Sequence, residues 1–395
     1  MAALPACCRH YPAMPACAPA PPSPRLRRAL FSLQQSGGNG EATMKTYVYA
    51  GVAQAFGADK NTPMQGIYRL DIAAGRWDTL DSGLPENAEV RCIATHPGAP
   101  NVVYAGTQAG PYRSSDGGDT WTALTLPGKE RLVWSLAIHP RDSQTIYAGT
   151  QGTTIYRSRD GGATWRELSP PEPRGMVRMS FPCRVIRLAI DPNRPDDLYA
   201  ALEVGGVIRS RDGGDTWQSC NDSLLEYAEQ PRLKSRIVSN TETEGMMDSH
   251  ALAISPAQPG TVFLANRMGL FRSDDGGTRW SEMGVGRFSP LTYARDIKVS
   301  PHDPRTMYAA LSIAAVSDAG SLYRSHDLGE SWQRFDHDVS IDSTLMIVAP
   351  SAANPDRIWC AARRGQVFGT EDGGRSWQQH RLPGGAEGVY ALATA

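Results

Sequence analysis

Apolar and polar residues alternate along most of this chain in short runs of four to six, broken by Gly, Pro, Asp and Asn. Such a pattern predicts strands joined by tight turns rather than helices. The runs recur in a fixed order. One kind is apolar and ends in a His-Pro, Asp-Pro or Ser-Pro turn: Arg91 to Pro97 (RCIATHP), Ser135 to Pro140 (SLAIHP), Arg187 to Pro192 (RLAIDP), Ala251 to Pro256 (ALAISP) and Asp296 to Pro301 (DIKVSP). A second kind follows it, as Val103 to Gly106 (VYAG), Ile146 to Gly149 (IYAG) and Leu198 to Ala201 (LYAA). A third runs into an eight-residue box, and a fourth starts at the Trp that ends it. Four short strands per unit of about 44 residues is the pattern of one propeller blade.

The box is clearest from Ser158 to Trp165 (SRDGGATW). It returns at Ser114 to Trp121 (SSDGGDTW), Ser210 to Trp217 (SRDGGDTW), Ser273 to Trp280 (SDDGGTRW), Ser325 to Trp332 (SHDLGESW) and Thr370 to Trp377 (TEDGGRSW). A worn copy ends at Trp77, with Ile72 in the Asp place. Seven of the nine tryptophans therefore close one repeated motif, which makes the repeat the organising unit of the chain. Asp-Gly-Gly is a turn: the Asp side chain caps backbone N–H groups and the glycines take positive φ freely. Six copies of one aspartate cannot all be an active site, so the box reads as structure.

These boxes resemble the BNR or Asp-box repeat of sialidases, oligoxyloglucan hydrolases, sortilin-type receptors and photosystem II assembly-factor propellers. The resemblance covers residues 45–395. It implies an all-β propeller and leaves function open, because those families include both enzymes and binding proteins.

The ends set the blade count. Gly388 to Thr394 (GVYALAT) is a first strand with nothing after it, and Tyr47 to Gly51 (YVYAG) a second strand with nothing before it. Joined in one sheet, they complete a seventh blade. The expected fold is a seven-bladed β-propeller of four-stranded antiparallel blades, its ring closed by pairing the N- and C-terminal strands. Residues 1–43, whose prolines are followed by Arg25, Arg27 and Arg28, are read as a disordered leader outside the fold, with Met44 an alternative start.

Composition narrows the function. A formal net charge of −1 argues against bulk nucleic-acid binding. No apolar run approaches the roughly 20 residues of a membrane helix. Seven cysteines without metal or disulfide spacing point to a reducing, cytoplasmic setting. No P-loop, GxSxG or HExxH is present. A soluble monomer with no cofactor is expected.

Trp-to-Trp spacings of 44, 44, 52, 63, 52 and 45 place insertions at 168–184 and 220–248, on the face opposite the boxes. The entries to the first strands aim at the channel mouth on that face. They carry Arg91, Trp134, Arg184, Arg187, Asp248, His250, Tyr293, Arg295, Asp296 and Tyr390, with Glu203, Arg267, Arg363 and Arg364 in nearby turns. Guanidinium forks bind carboxylate or phosphate, so the arginines point to an anionic ligand. The plainer reading pairs each Arg with a neighbouring Glu89, Glu203, Asp248 or Asp296. Sialidases resemble this in clustering arginines around a substrate carboxylate, and the assembly-factor propellers in using arginine patches to bind protein.

Two functions are carried forward. In the first the chain is a glycosidase-like hydrolase acting on a small anionic or saccharide ligand. Arg91, Arg184, Arg187, Arg267 and Arg295 hold the anion, and Trp134, Tyr293 and Tyr390 stack. His250 and Asp296 transfer protons, with Asp248 orienting His250. In the second, the arginine face is a scaffold that docks an acidic protein segment. A metal held by His250, Asp248 and Glu244 is the remaining alternative, at a spacing that fits no standard motif.

Overall fold

The computed structural model describes residues 46–54, 65–128 and 132–395; the stretch read as a leader, 1–43, lies outside these. Seven sheets of four antiparallel strands make up the described residues. Six are built from consecutive strands. The seventh sets Val389–Thr394 beside Tyr47–Val52, with Val48 opposite Thr394 and Gly51 opposite Ala391. The ring therefore closes as its two ends imply. This closing sheet is blade 1, and blades 2 to 7 begin at Val90, Val133, Val185, Ser249, Tyr293 and Leu345. Each innermost strand packs against the innermost strands of both neighbours, around a central channel.

The box is a hydrogen-bonded knot. In blade 4 the Ser210 hydroxyl donates to Asp212 at 2.8 Å and accepts the Gly214 N–H at 2.8 Å. Asp212 in turn accepts the backbone N–H of Thr216 at 2.8 Å and its hydroxyl at 2.5 Å. Blades 2, 3, 6 and 7 repeat this set with Asp116, Asp160, Asp327 and Asp372. The Thr hydroxyl and N–H hold Asp160 and Asp212 down at about 2. Gly213 and Gly214 both take positive φ, 68° and 97°, which an L side chain resists.

Neighbouring blades are latched through the same knot. The carbonyl of the first box glycine faces the preceding blade. Gly213 O accepts the Tyr147 hydroxyl at 3.0 Å and Arg157 Nη1 at 2.7 Å; Gly117 O accepts Tyr49 at 2.9 Å and Arg69 at 2.8 Å. Arg209 reaches Gly276 O at 2.9 Å and Arg324 reaches Gly373 O at 3.3 Å. The recurring Tyr of the second strand and Arg of the third are thus interface residues. The Gly ending each Tyr-Ala-Gly run is needed where the next blade passes closest: a Cβ on Gly149 would sit 2.5 Å from Val185 Cγ1, and one on Gly106 2.7 Å from Val133 Cγ1.

The longest insertion folds on the face away from the boxes, as a helix Asp222–Ala228 and a helical turn Glu244–Met247. Leu224, Met246 and Met247 are fully buried in a cluster shared by blades 4 and 5. Those apolar residues extend the core. Glu244 is buried too, its carboxylate accepting the N–H groups of Ile237 and Ser239, which holds it below its ordinary value against burial and commits it to the loop.

Two tests follow from the knot. Ser210→Ala leaves the buried Gly214 N–H without an acceptor and is expected to cost about 1–3 kcal/mol in urea denaturation. A loss within experimental error would show that the hydroxyl is dispensable. The box aspartates sit below the ordinary 3.8 when folded, so their stabilisation is complete above that value. It is lost as pH falls from 3.8 towards about 2, and Asp212→Asn is expected to shrink the acid-induced drop in Tm across that window.

Candidate functional site

One irregularity recurs in all seven innermost strands. Pairing with the second strand slips by one residue near the start, a β-bulge that leaves one residue unpaired. The unpaired residues are Tyr390, Arg91, Trp134, Ile186, His250, Arg295 and Met346, in blades 1 to 7. A bulge re-aims its side chain, and here it sets one residue per blade around the channel mouth away from the boxes. Five of the eleven sequence-predicted site residues are in this ring.

Most of the arginines are already matched. Arg91 pairs with Glu89, Arg184 with Glu203 at 2.6 Å, and Arg267 with Asp248 at 3.0 Å. Arg91 and Arg184 also lie over the Trp134 ring, 4.4 and 4.6 Å from its centre, and Tyr390 meets it edge-on at 6.0 Å. Trp134 therefore stacks with protein cations. Arg295 and Arg363 are different. Neither makes an ion pair or side-chain hydrogen bond among the described residues; burial and the nearby Arg295 charge lower Arg363, whereas Tyr293, Tyr390, Asp248 and Glu203 outweigh burial and raise Arg295. The plainer reading of the arginines holds for three at this rim and fails for these two.

The carboxylates at the mouth are pushed apart in acidity. Burial raises Glu203, against the pull of Arg184, and the nearby Asp248 charge raises it further. Burial also acts on Asp248, but His250 and Arg267 outweigh it and hold that carboxyl at about 2. Paired acids whose surroundings drive them in opposite directions divide into a proton donor and an ionised partner. His250 is buried, which lowers its pKa and favours the neutral ring. Its Nδ1 lies 2.7 Å from the Ala294 carbonyl, so Nδ1–H donates there. Nε2 is then an acceptor, 3.2 Å from the Tyr293 hydroxyl, with Asp248 at 3.4 Å. Asp248, His250, Tyr293 and Arg267 thus form one network.

Asp296 and Arg187 stand apart from it. They occupy the position after the bulge, one level deeper in the channel. Asp296 is fully buried and lies 3.4 Å from both Arg187 and Lys298, while its second oxygen accepts the Val348 N–H at 3.1 Å. The expected convergence of Asp296 on His250 is replaced by this separate triad. Lys298 escaped the sequence reading, although a signal was present. The other six blades carry Ala94, Ala137, Ala189, Ala253, Ala349 and Ala393 at its register position. Among the described residues no group of three His, Cys, Asp or Glu side chains is placed to hold a metal ion. Nor is any helix long and apolar enough to cross a membrane.

Comparison with known proteins agrees with the architecture. The Sortilin-Vps10 family profile (sortilin, neurotensin receptor 3) matches residues 110–250. A xyloglucanase of Hypocrea jecorina is 25% identical over 199 residues, covering 48% of this chain and 17% of that protein. The chain thus spans less than a fifth of that curated relative. A GH74 xyloglucanase from Xanthomonas campestris superposes with a TM-score of 0.61 at 18% identity, covering 89% of this chain and 52% of its own. YCF48 from Cyanidioschyzon merolae gives 0.51 at 16% identity, covering 75% and 86%. At such identities the structures speak to the fold. Ring, repeat and matches are together consistent with the BNR-type propeller superfamily that the boxes resemble.

Proposed function

We propose that this chain is a glycosidase-like propeller that binds a small anionic saccharide at the mouth away from the boxes and hydrolyses it. The observation that carries the reading is the pair Arg295 and Arg363, two guanidiniums without a contact ion pair among the described residues, beside carboxylates of opposed acidity. Arg295 and Arg363 take the carboxylate or phosphate of the ligand. Arg91, Arg184 and Arg267, already paired, shape the rim, and Trp134 and Tyr390 give it an aromatic wall.

The proton-transfer roles expected of His250 and Asp296 pass to Glu203 and Asp248. Glu203 keeps its proton to a higher pH than an ordinary glutamate; in that protonated form its ion pair with Arg184 is given up and it donates to the leaving oxygen. Asp248 stays ionised and faces the positive charge that develops on the sugar ring; water then adds to that carbon and its proton returns to Glu203. His250 accepts from Tyr293 and fixes that ring beside Asp248. Xyloglucanases among the relatives support a saccharide as ligand. Free thiols at Cys92, Cys183, Cys220 and Cys360 support a cytoplasmic setting. The second reading, docking of an acidic protein segment, is favoured by one observation. Ile237 and Val238 in the long insertion and Ile313 and Val316 in a turn of blade 6 are exposed on the same side of the ring as the mouth.

The test is calorimetric titration with uronic-acid and sialic-acid oligosaccharides, followed by assay of released reducing ends. Arg295→Met and Arg363→Met are each expected to weaken binding about ten- to a hundredfold, the worth of a charged hydrogen bond. Glu203→Gln is expected to bind and not turn over. In the wild type, kcat/KM falls as pH rises through the elevated Glu203 value, because the acid form is lost, and no acid limb from Asp248 appears above about 2. Absence of saturable binding, with capture of an acidic peptide instead, would replace the enzyme reading with the scaffold one.

A further inference from the structure

The central channel does not end at the mouth. Below the ring of bulged residues lies a cavity of about 590 Å³, inside the range of small-molecule sites. It reaches the opposite, box-side face at Pro97, Pro140 and Pro301. Its accessible aliphatic surface comes from Ile93, Leu136, Ile138, Ile190 and Val299, with Leu188, Leu252, Val348 and Leu392 buried in the blade cores behind it. Only a few charged groups face it: Arg91, Arg187 and Lys298, with Asp296 behind the last two.

The charge in this cavity is not balanced. Arg91 is matched by Glu89 at the rim. Asp296 spends one oxygen on the Val348 N–H and sets the other 3.4 Å from both Arg187 Nη2 and Lys298 Nζ. One carboxylate thus serves two cations. Arg187 Nε is buried without an acceptor. The Lys298 ammonium carries three donors, and Asp296 is its sole ion-pair partner among the described residues. Burial, with Arg187 beside it, pushes the Lys298 amine down to about 8, the mark of a cation short of counter-charge. A purely structural wall needs no lysine here, as the six alanines at the same level show.

We infer that this cavity is a second binding site, separate from the mouth, for a small monocarboxylate with an apolar body. The carboxylate lies against Lys298 and Arg187, completing two cations with two anions. The aliphatic part lies along the alanine level and the half-buried Leu136, Ile138, Ile190 and Val299, where it leaves water at roughly 25 cal/mol per Å². The two sites differ in kind. The mouth is aromatic and polar, suited to a hydrated ligand; the cavity is aliphatic with one pair of cations, suited to an amphiphile.

The experiment is calorimetric titration of the full chain with octanoate and with octan-1-ol, at pH 7. Wild type is expected to bind one octanoate. Lys298→Met, close in shape and uncharged, is expected to weaken octanoate at least tenfold and to leave octanol within about threefold. Ala137→Leu, which narrows the cavity without touching the charges, is expected to weaken both probes, and stands in for Lys298→Met if that variant does not fold. Arg295→Met and Arg363→Met are expected to leave octanoate binding intact, whatever their effect on saccharides. The inference fails if wild type shows no saturable octanoate binding. It also fails if Ala137→Leu or a folded Lys298→Met binds octanoate as well as wild type, or if the mouth variants abolish binding.

Discussion

One backbone carbonyl carries the junction at five of the seven blades. In blades 2, 3, 4, 5 and 7 the first glycine of the box presents its oxygen to the blade before it, where a tyrosine hydroxyl, an arginine fork or both take it up. An amide oxygen can point outward in this way only because the knot beneath it has satisfied its own donors. The aspartate consumes the N–H groups of the turn, and the glycines permit the φ values that rotate the carbonyl toward the neighbour. The box therefore does two jobs with one turn: it ends a strand and it fixes the angle to the next blade. That is why it repeats while the loops on the other face vary.

Variation is confined to the opposite rim by a second device. A one-residue slip in every innermost strand separates a side chain from the ladder without disturbing the pairs on either side. The bulged position can be Arg, Trp, Ile, His, Met or Tyr, because nothing in the sheet depends on it. One level deeper the same strand must pack, and there Arg187, Asp296 and Lys298 are held by one another. Two neighbouring positions in one strand thus obey different rules, one facing the mouth and the other the channel cavity below it.

The sequence made the fold readable because each of its determinants is local. Each box and each Pro-terminated run is set by residues a few positions apart, and the two half-blades, though at opposite ends of the chain, are each legible as a short strand. The mouth was legible as a place, since strand entries converge there. Its pairings were not, because they depend on register and distance. Arg187 and Arg295 look alike in sequence, yet Arg295 is the bulged residue of its strand and Arg187 follows the bulge of its own. Arg187 meets Asp296, 109 residues away. The acidity of Glu203 is set by burial and by Asp248 of the next blade, neither visible in a run of letters. Lys298 was visible once the blades were aligned, as the one charge in a column of alanines.

The worn repeat also has a counterpart. Where other blades carry the latching arginine before the box serine, blade 7 has Gly369, and the blade it faces is the one with Ile72 in place of the box aspartate. Donor and acceptor are missing together. An apolar cluster of Trp359, Leu70, Val48 and Met346, with Trp77 packed against it, fills that junction instead, and the Trp77 indole N–H is left without an acceptor. Apolar side chains pack every junction, and at this one the glycine-carbonyl clasp found at five others is missing. Hydrocarbon contact is non-directional, whereas a clasp is directional. The propeller is thus a bracelet whose fastening lacks that directional lock, so the angle there is set by how side chains fit.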